Sequence, residues 1–235
     1  MEGFILAAGL GTRLRPLTND RPKALVEVQG RTLLDICIHR LAATGVEHCV
    51  VNVHHYATMV KSYLEQRQWP CRITVSDESE LLLDTGGALR KAAPLFSGRE
   101  TVLVHNVDVL TGIDLRAMVA EHEAAGNLAT LCASHRHTAR ALQFDAECRL
   151  MGRAEGEVSG KLAFSGIAAV SPALFDLLPE ADHPYPIIDE YIRLSHAGHR
   201  IVRWQHAAEQ WLDVGRPETL AQAAEFLSKN KPDIQ

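Results

Sequence analysis

Two glycines and three cationic side chains stand close together near the start of the chain, and these residue types could bind phosphate. The string LAAGLGTRLRPLT occupies residues 6–18, and Lys23 follows shortly after it. Glycine lets backbone N–H groups approach an anion closely. Arg13, Arg15 and Lys23 would add positive charge beside that backbone, arginine as a planar fork and lysine as a compact charge. The string therefore predicts a site for a phosphate-bearing ligand.

Two common phosphate-binding motifs do not fit this string. A dinucleotide-binding fingerprint needs a third small residue where Leu14 stands and a helix directly after it, which Pro16 interrupts. A P-loop needs Gly-Lys-Ser/Thr, whereas Thr12 and Arg13 follow the second glycine. The alternative interpretation is a glycine-rich surface turn with solvated cations. The position of the whole string, directly after a predicted buried strand, favours the phosphate site.

Two aspartates lie at or near predicted apolar segments and could hold a divalent ion. Asp108 follows a predicted apolar strand, and ligands bind at the carboxyl ends of parallel strands in open α/β sheets. Asp213 lies within the apolar segment WLDVG, where an unpaired carboxylate would be costly. Two close carboxylates repel unless a cation lies between them, so we predict that they share one ion. As alternatives, Asp108 is a turn residue, and Asp213 caps the helix near Pro217 or pairs with Arg216.

Short apolar runs alternate with helical patterns in the first half of the chain. This alternation indicates βαβ units and a mostly parallel sheet, which would place the strand ends at one edge. The pattern predicts strands at 4–8, 49–53, 72–76 and 101–105, and helices at 32–43, 56–66, 85–93 and 115–125.

The second half has a mixed pattern that we expect to pack onto the same sheet. We predict one domain over residues 1–235, with two parts at 1–126 and 127–235. The polar, glycine-containing segment 152–160 is predicted to be a surface loop or hairpin. The pattern predicts strands at 127–135, 142–144, 162–170 and 200–205, and helices at 172–178, 187–195 and 217–227.

Composition excludes several classes of protein. The chain has 235 residues, 46% hydrophobic and 23% charged, and a net charge of −5, whereas nucleic-acid binders are usually basic. It contains no run approaching the ~18 apolar residues of a membrane span, and its first residues lack the basic region and the cleavage site typical of a signal peptide. Its five cysteines form no C-x-x-C pair. We therefore expect a cytoplasmic protein with reduced thiols, monomeric or homodimeric, with no nucleic-acid or membrane partner.

The string at residues 6–18, completed by Pro22 and Lys23, resembles the signature of the sugar-1-phosphate nucleotidyltransferases. In that family the loop wraps a nucleoside triphosphate. The resemblance implies that Arg13 and Lys23 are catalytic, because the corresponding residues stabilise charge around the reacting phosphates. It also implies that the loop contributes the nucleotide contacts Ala7, Ala8, Gly9, Gly11, Thr12, Arg13 and Lys23.

Three further strings resemble the same family. The string DTGGAL at 84–89 resembles the segment that meets the nucleobase, which implies nucleotide contacts at Gly86 and Gly87; the local alternative is a helix-start turn. The string FSGI at 164–167 resembles the strand lining the sugar pocket. The resemblance implies that Asn106 and Gly166 bind the sugar phosphate. The segment at 211–218 resembles the late motif of the family, in which Asp213 joins Asp108 as a ligand of Mg²⁺.

The chain departs from the family pattern at two places. Val107 stands where a glycine usually precedes the metal-binding aspartate. Many larger members carry a Glu-Lys-Pro string whose lysine binds the sugar phosphate, and residues 149–162 contain no such string. Lys161 is a candidate to replace that lysine.

The resemblance covers about residues 3–225 and implies the roles of the two parts, the fold and the reaction. The part at 1–126 would bind the nucleotide, and the part at 127–235 would bind the sugar. The fold would be a three-layer α/β sandwich, Rossmann-like, with a mainly parallel central sheet. A sugar 1-phosphate would attack the α-phosphorus of a nucleoside triphosphate, and pyrophosphate would leave. The length and the TGG and FSGI strings resemble the bacterial uridylyltransferases of cell-wall recycling that act on N-acetylmuramate 1-phosphate. Since no acyltransferase-like repeat follows, we expect a single activity.

Three alternatives to this function remain open from the sequence. Guanylyltransferases for mannose or heptose 1-phosphate carry similar strings. An enzyme of the same fold could act on a phosphate that is not a sugar phosphate, such as phosphocholine. A non-catalytic module that senses nucleotide sugars would keep the glycine loop but lack the metal carboxylates or Lys23, all of which are present.

Overall fold

The computed structural model describes residues 1–156 and 160–230. Its helices are α1 Leu33–Thr44, α2 Ala57–Glu65, α3 Asp84–Ala92, α4 Leu115–Ala124, α5 Ile187–His196, α6 Pro217–Leu220 and α7 Ala223–Lys229. Its strands are β1 Glu2–Leu6, β2 Glu27–Val28, β3 Arg31–Thr32, β4 His48–Val53, β5 Arg72–Asp77, β6 Val102–Asn106, β7 Val109–Thr111, β8 Ala129–Ser134, β9 Ala141–Phe144, β10 Leu150–Arg153, β11 Lys161–Val170, β12 Ile201–Gln205 and β13 Trp211–Asp213.

The main sheet, over the described residues, has the path β10-β9-β11-β6-β1-β4-β5, with β8 paired to β11 and β12 paired to β8. The four strands β6, β1, β4 and β5 are mutually parallel, as the alternation of strands and helices predicts. Long β11 runs antiparallel to β6, β8 and β9, because the second half returns through shorter connections rather than helical crossovers. The parallel strands place the ends of β1 and β6 side by side.

Successive residues of the central strands face two different cores, which gives the fold its three layers. Phe4 belongs to the core covered by α3 and α5, whereas Ile5 belongs to the core covered by α1, α2, α4 and α7. Val50 and Val51 of β4 repeat this alternation. Side chains of successive strand residues point to opposite faces, so each central strand is buried on both sides. The predicted three-layer α/β sandwich is confirmed.

Local sequence determines where helix α1 begins and ends. The Thr32 side chain accepts a hydrogen bond from the Asp35 N–H, and Gly45 ends the helix at φ 104°. Such N-caps stabilise a helix by about 1 kcal/mol, and glycine tolerates the left-handed conformation at the end. Leu34 and Ile38, one turn apart, are fully buried against the sheet.

Several predicted boundaries were wrong, and each error has a physical reason. Strand β1 ends at Leu6 rather than residue 8, because Ala7 and Ala8 turn out of the sheet to hydrogen-bond a side chain. The predicted helix at 217–227 is divided into α6 and α7, and the segment 172–177 is a 3₁₀ helix. Strands β7 and β13 were not predicted, since three residues are too few to show a period.

The predicted loop at 152–160 lies only partly within the described residues. Its first two residues belong to β10, and residues 157–159 lie outside the described part of the chain. Among the helices of the described residues, none combines the length and apolar character that crossing a membrane requires.

Candidate active site

The glycine loop, residues 7–18, follows β1, and a side chain from another strand holds its first two residues. The N–H groups of Ala7 and Ala8 both donate to Oδ1 of Asn52, at 2.6 and 3.2 Å. Asn52 lies in β4 and is 2% exposed. Its Nδ2 donates in turn to Oε1 of Glu78 at 2.8 Å, and the N–H of Leu83 donates to Oε2 at 3.2 Å. A buried polar bridge therefore holds the start of the loop.

The pairing of Asn52 with Glu78 was not predicted from the sequence. The available signal is an asparagine inside the otherwise apolar run CVVNV. Glu78 is fully buried, and burial raises the pKa of its carboxyl above the usual value, although the hydrogen bonds from Asn52 and Leu83 oppose the shift. A buried polar group is costly unless it is hydrogen-bonded, so each partner in this bridge stabilises the other.

Beyond Ala8 the loop has free donors. The backbone N–H groups of residues 9–13 donate no hydrogen bond to any described part of the chain. Gly11 has φ +64°, its carbonyl accepts from Thr18 Oγ1 at 2.8 Å, and Leu14 is fully buried beneath it. The loop thus presents consecutive donors on a fixed backbone, which is the arrangement that binds anions. Gly9 and Thr12 are exposed there.

Two of the three predicted cations, Arg13 and Lys23, meet the predicted carboxylates beside this loop. Arg15 is exposed and forms no ion pair with the described residues. Lys23 Nζ lies 2.8 Å from Oδ2 of Asp108, and a Cβ on Gly9 would lie 3.6 Å from the same Nζ. Arg13 Nη2 is 3.8 Å from Asp108 Oδ2, and Arg13 Nη1 is 3.8 Å from Asp213 Oδ2. Asp108 and Lys23 are largely buried, whereas Arg13 is half-exposed, so it can turn toward a ligand. Two positive and two negative groups balance within one cluster.

A two-stranded ribbon brings the two aspartates together. Strands β7 and β13 are antiparallel, with Asp213 opposite Val109, and the Val214 N–H donates to the Asp108 carbonyl at 2.9 Å. A Cβ on Gly215 would lie 2.7 Å from Asp213 Oδ1 and 2.9 Å from Asp108 Oδ2. It would also lie 2.6 Å from Arg13 Nη2, so a larger residue at Gly215 would enter the cluster. This requirement for glycine at position 215 was not predicted from the sequence.

The two carboxylates form a donor set suited to Mg²⁺. This ion is usually held in proteins by one or two carboxylates, with substrate phosphates and water completing the shell. No set of three or more His, Cys, Asp or Glu side chains that could hold a metal exists among the described residues. The alternatives for Asp213 are not favoured, because the α6 start has no side-chain cap and Asp213 pairs with Arg13. A metal held here would therefore depend on phosphate oxygens.

On the predicted sugar side, Gly166 lies directly against Asn106. Gly166 has φ +73°, and a Cβ there would lie 2.6 Å from Asn106 Nδ2. The register of β11 against β8 shifts between Phe164 and Ala168, which brings the Gly166 backbone up to the end of β6. The positive φ and the short distance to Asn106 both require glycine at position 166. The structure thus brings together the two residues predicted to bind the sugar phosphate.

The remaining predicted residues lie in defined surroundings. Gly86 and Gly87 are in α3, where a Cβ on Gly86 would clash with the Tyr185 ring, and the Gly86 N–H donates to the Tyr185 carbonyl at 2.9 Å. This packing is a separate reason for glycine there, and their nucleotide-binding role stays a prediction. Lys161 Nζ donates to the Gly156 carbonyl at 3.1 Å. Val107 is fully buried in the core, which accounts for an apolar residue at that departure.

Comparison with known proteins identifies the family. Residues 2–144 match the sequence profile of the family described as nucleotidyl transferase, and this match spans more than half of the chain. The chain therefore belongs to the nucleotidyl transferase family. A solved structure of UDP-glucose pyrophosphorylase complexed with UDP-glucose superposes with a TM-score of 0.80 at 16% identity, covering 98% of this chain and 99% of that one. This similarity confirms the predicted fold.

Three curated relatives indicate the activities found within the family. The chain is 51% identical over 108 residues to the N-acetylmuramate alpha-1-phosphate uridylyltransferase of Caulobacter vibrioides, covering 45% of this chain and 44% of that protein. It is 30% identical over 224 residues to the enzyme of the same name from Neisseria meningitidis serogroup B, covering 92% and 93%. It is 37% identical over 134 residues to the mannose-1-phosphate guanyltransferase of Neurospora crassa, covering 56% and 36%. The predicted class, a sugar-1-phosphate nucleotidyltransferase, is confirmed.

Proposed function

We propose that this chain transfers UMP from UTP to N-acetylmuramate 1-phosphate and releases pyrophosphate. The observation that carries the proposal is the convergence of Arg13, Lys23, Asp108 and Asp213 beside a loop of unbonded backbone N–H groups. Such a cluster suits two anionic substrates that must approach each other, because donors and cations offset their repulsion. We further propose that residues 1–126 bind the nucleotide and residues 127–235 the sugar.

The reaction needs positioning and charge neutralisation rather than proton transfer. An oxygen of the sugar phosphate forms a new bond to the α-phosphorus, and the bond from that phosphorus to the bridging oxygen breaks. The leaving pyrophosphate takes the electron pair of the broken bond. The attacking phosphate is already anionic at neutral pH, so no general base is required.

Residues of the chain are assigned to parts of this reaction. The backbone N–H groups of the loop that includes Gly9, Gly11 and Thr12 bind the triphosphate. Ala7 and Ala8 remain predicted nucleotide contacts through their other atoms, because their N–H groups donate to Asn52. Arg13 and Lys23 neutralise charge that develops on the phosphates. These assignments are supported by the free donors of residues 9–13 and by the position of Lys23 Nζ, which lies 3.6 Å from where a Cβ on Gly9 would be.

Two pairs of residues contact the nucleobase and the sugar phosphate, and a third pair would hold the metal. Gly86 and Gly87 contact the nucleobase, whereas Asn106 and Gly166 bind the sugar phosphate. Asp108 and Asp213 would hold Mg²⁺, which supplies positive charge to phosphate oxygens when bound. Lys23 is engaged with Asp108 in this structure, and it becomes available to phosphate if Asp108 takes another partner.

The choice of substrates is supported by the similarity to uridylyltransferases. The match to the Neisseria enzyme extends over nearly the full length of both chains, so it includes the predicted sugar-binding part. Such an activity would belong to cell-wall recycling in the cytoplasm. A second candidate is transfer of GMP to mannose 1-phosphate, which is favoured by the similarity to the Neurospora guanyltransferase.

A screen of substrate pairs tests the proposal. Pyrophosphate release is measured for UTP, CTP, GTP and dTTP, each with N-acetylmuramate, N-acetylglucosamine, glucose, mannose and heptose 1-phosphates in the presence of Mg²⁺. We expect UTP with N-acetylmuramate 1-phosphate to give the highest kcat/KM. A preference for GTP with mannose or heptose 1-phosphate would overturn the substrates but keep the class. Binding of nucleotide sugars without pyrophosphate release from any pair would instead indicate a sensing module.

A further inference from the structure

Arg136 is a half-buried cation beside the site that the proposed reaction does not yet use. Its Cζ lies 3.5 Å from the centre of the Trp211 ring. Its Nη2 donates to the Phe164 carbonyl at 2.9 Å and to Ser165 Oγ at 3.1 Å, and its Nε donates to Ser134 Oγ at 2.9 Å. The guanidinium is therefore held in one orientation by an aromatic face and by neutral acceptors.

This guanidinium lacks an anionic partner close by. No carboxylate of the described residues lies within 4.0 Å of it, and its Nη1 donates no hydrogen bond to them. Burial lowers the pKa of Arg136, and the attraction of Asp213 partly opposes the shift. A partly buried charge without a paired anion is costly in free energy. An arginine kept rigid with one nitrogen unbonded is preorganised for an oxyanion from outside the chain.

The neighbours of Arg136 place it between the two predicted halves of the site. Ser165, which it contacts, precedes Gly166 at the Asn106 contact. Trp211, on which it stacks, is two residues before Asp213 and donates from Nε1 to the Ser165 carbonyl at 2.7 Å. The guanidinium is thus joined to the sugar side through β11 and to the carboxylate pair through β13.

We propose that Arg136 binds an oxyanion of the sugar substrate and is a specificity-determining residue for it. The proposal deepens the proposed function and rests on it, since the oxyanion belongs to the acceptor of that reaction. N-acetylmuramate 1-phosphate offers two such groups, the phosphate and the carboxylate of its lactyl ether. Arg13 and Lys23 lie at the carboxylate pair, so Arg136 supplies a separate cation on the acceptor side.

A hydrogen bond to His206 orients the Ser165 hydroxyl that Arg136 contacts. Its Oγ lies 2.7 Å from Nε2 of His206, whose Nδ1 lies 2.8 Å from the Ala207 carbonyl. The ring nitrogen facing a carbonyl must donate, so His206 Nδ1 carries the proton and neutral Nε2 accepts from the Ser165 hydroxyl. The Ser165 oxygen then remains free to accept from Arg136. These neutral groups hold the guanidinium without neutralising its charge.

Two substitutions of Arg136 separate recognition of an anion from a structural role. Arg136→Met removes the charge and the N–H groups but keeps an unbranched stem, whereas Arg136→Lys keeps the charge. KM for the sugar phosphate, KM for UTP, kcat and Tm are measured for both variants. Arg200→Met is the matched control, because Arg200 is exposed and donates to Asn127 before β12 begins.

We expect Arg136→Met to raise KM for N-acetylmuramate 1-phosphate roughly ten- to hundred-fold, the loss typical of a charge-assisted hydrogen bond. KM for UTP should change less than about two-fold, Arg136→Lys should recover part of the loss, and the control should behave like the parent. Comparison with N-acetylglucosamine 1-phosphate, which lacks the lactyl carboxylate, distinguishes the two oxyanions. If KM rises for both sugar phosphates, Arg136 binds the phosphate. If KM rises only for N-acetylmuramate 1-phosphate, Arg136 binds the carboxylate.

Other outcomes would overturn the assignment. An unchanged KM for the sugar phosphate, or equal losses in both KM values together with a lower Tm, would show a structural role only. Calorimetric binding of the two sugar phosphates to the parent and to Arg136→Met gives a readout that needs no turnover. If the parent binds them but releases no pyrophosphate, the proposed reaction fails while Arg136 is still tested. If the parent and the variant bind them equally, the Arg136 proposal fails.

Discussion

Asn52 joins Glu78 at 2.8 Å and, through its other side-chain atom, holds the N–H of Ala7 at 2.6 Å. One amide side chain therefore links the beginning of the glycine loop to the segment that leads into α3. Glu78 continues this link by accepting from the Leu83 N–H, directly before α3. The predicted triphosphate contacts and the predicted nucleobase contacts are thereby connected through a single buried bridge.

Replacing Asn52 should loosen both segments. Asn52→Ala leaves the N–H groups of Ala7 and Ala8 without an acceptor and Glu78 without one of its two donors, and we expect a loss of about 2–4 kcal/mol in the free energy of unfolding. KM for the nucleotide should rise more than KM for the sugar phosphate. Urea denaturation and steady-state kinetics check this result. Exposed Asn19→Ala is the control, and equal behaviour of the two variants would contradict the role of the bridge.

The stability of the protein should depend on the protonation of Glu78. Because burial raises the pKa of Glu78, the folded state holds the proton more tightly than the unfolded state. This contribution to stability is fully present below the unfolded pKa and is lost as pH rises through the folded pKa. Glu78→Gln removes the titration, so the unfolding free energy of the variant should improve relative to the parent as pH rises from about 4 to 7. Parallel stability curves over this range would contradict the expectation.

Lys23 should be required for turnover rather than for folding. We expect Lys23→Ala to lower kcat about a hundred-fold or more, since removal of one group that stabilises transition-state charge has that typical effect. Circular dichroism and Tm establish that the variant is folded. Arg21→Ala is the matched control, because Arg21 is an exposed cation paired with neighbouring Asp20. Near-parental turnover in folded Lys23→Ala would show that Lys23 is only a partner of Asp108.

Asp108 and Asp213 should act on the same metal ion. Asp108→Asn and Asp213→Asn each remove one anionic ligand, so we expect each variant to need far more Mg²⁺ for half-maximal activity or to be inactive. Mg²⁺ titration of pyrophosphate release is the measurement. Asp182→Asn, at an exposed aspartate beside His183, should leave the titration unchanged. If only one of the two variants changes the Mg²⁺ requirement, the shared ion is contradicted.

Glycine at position 166 should be required for binding of the sugar phosphate, because the backbone there is left-handed and Asn106 lies close. Gly166→Ala forces a side chain onto Asn106 in a left-handed backbone, and we expect KM for the sugar phosphate to rise at least about ten-fold, the effect of losing ~1.4 kcal/mol of binding. Gly30→Ala is the matched control, because Gly30 has φ +77° with no atom within 4 Å of the added Cβ. That control should lose stability by about 1 kcal/mol and keep parental kinetics. Similar KM values for both variants would contradict the proposed contact.

The sequence alone was sufficient for the features that depend on neighbours along the chain. Strand and helix periods in the first half predicted the parallel centre of the sheet, because burial on both faces makes such strands continuously apolar. The loop residues Gly9, Gly11 and Arg13 lie within five positions, so their grouping is visible without a fold. The family signature extended this information to Asp108 and Asp213, which were predicted to share one ion.

Only the tertiary structure decided which distant residues meet. The approach of Asp213 to Asp108 depends on β7 and β13, whose three-residue length carries no periodic signal. Asn52 and Arg136 have no local pattern that names their partners, and their roles follow from contacts across strands and loops. Gly215 is required because three charged side chains converge on its α-carbon. These relationships depend on packing in three dimensions, since local sequence carries information about local conformation but not about which distant side chains come into contact.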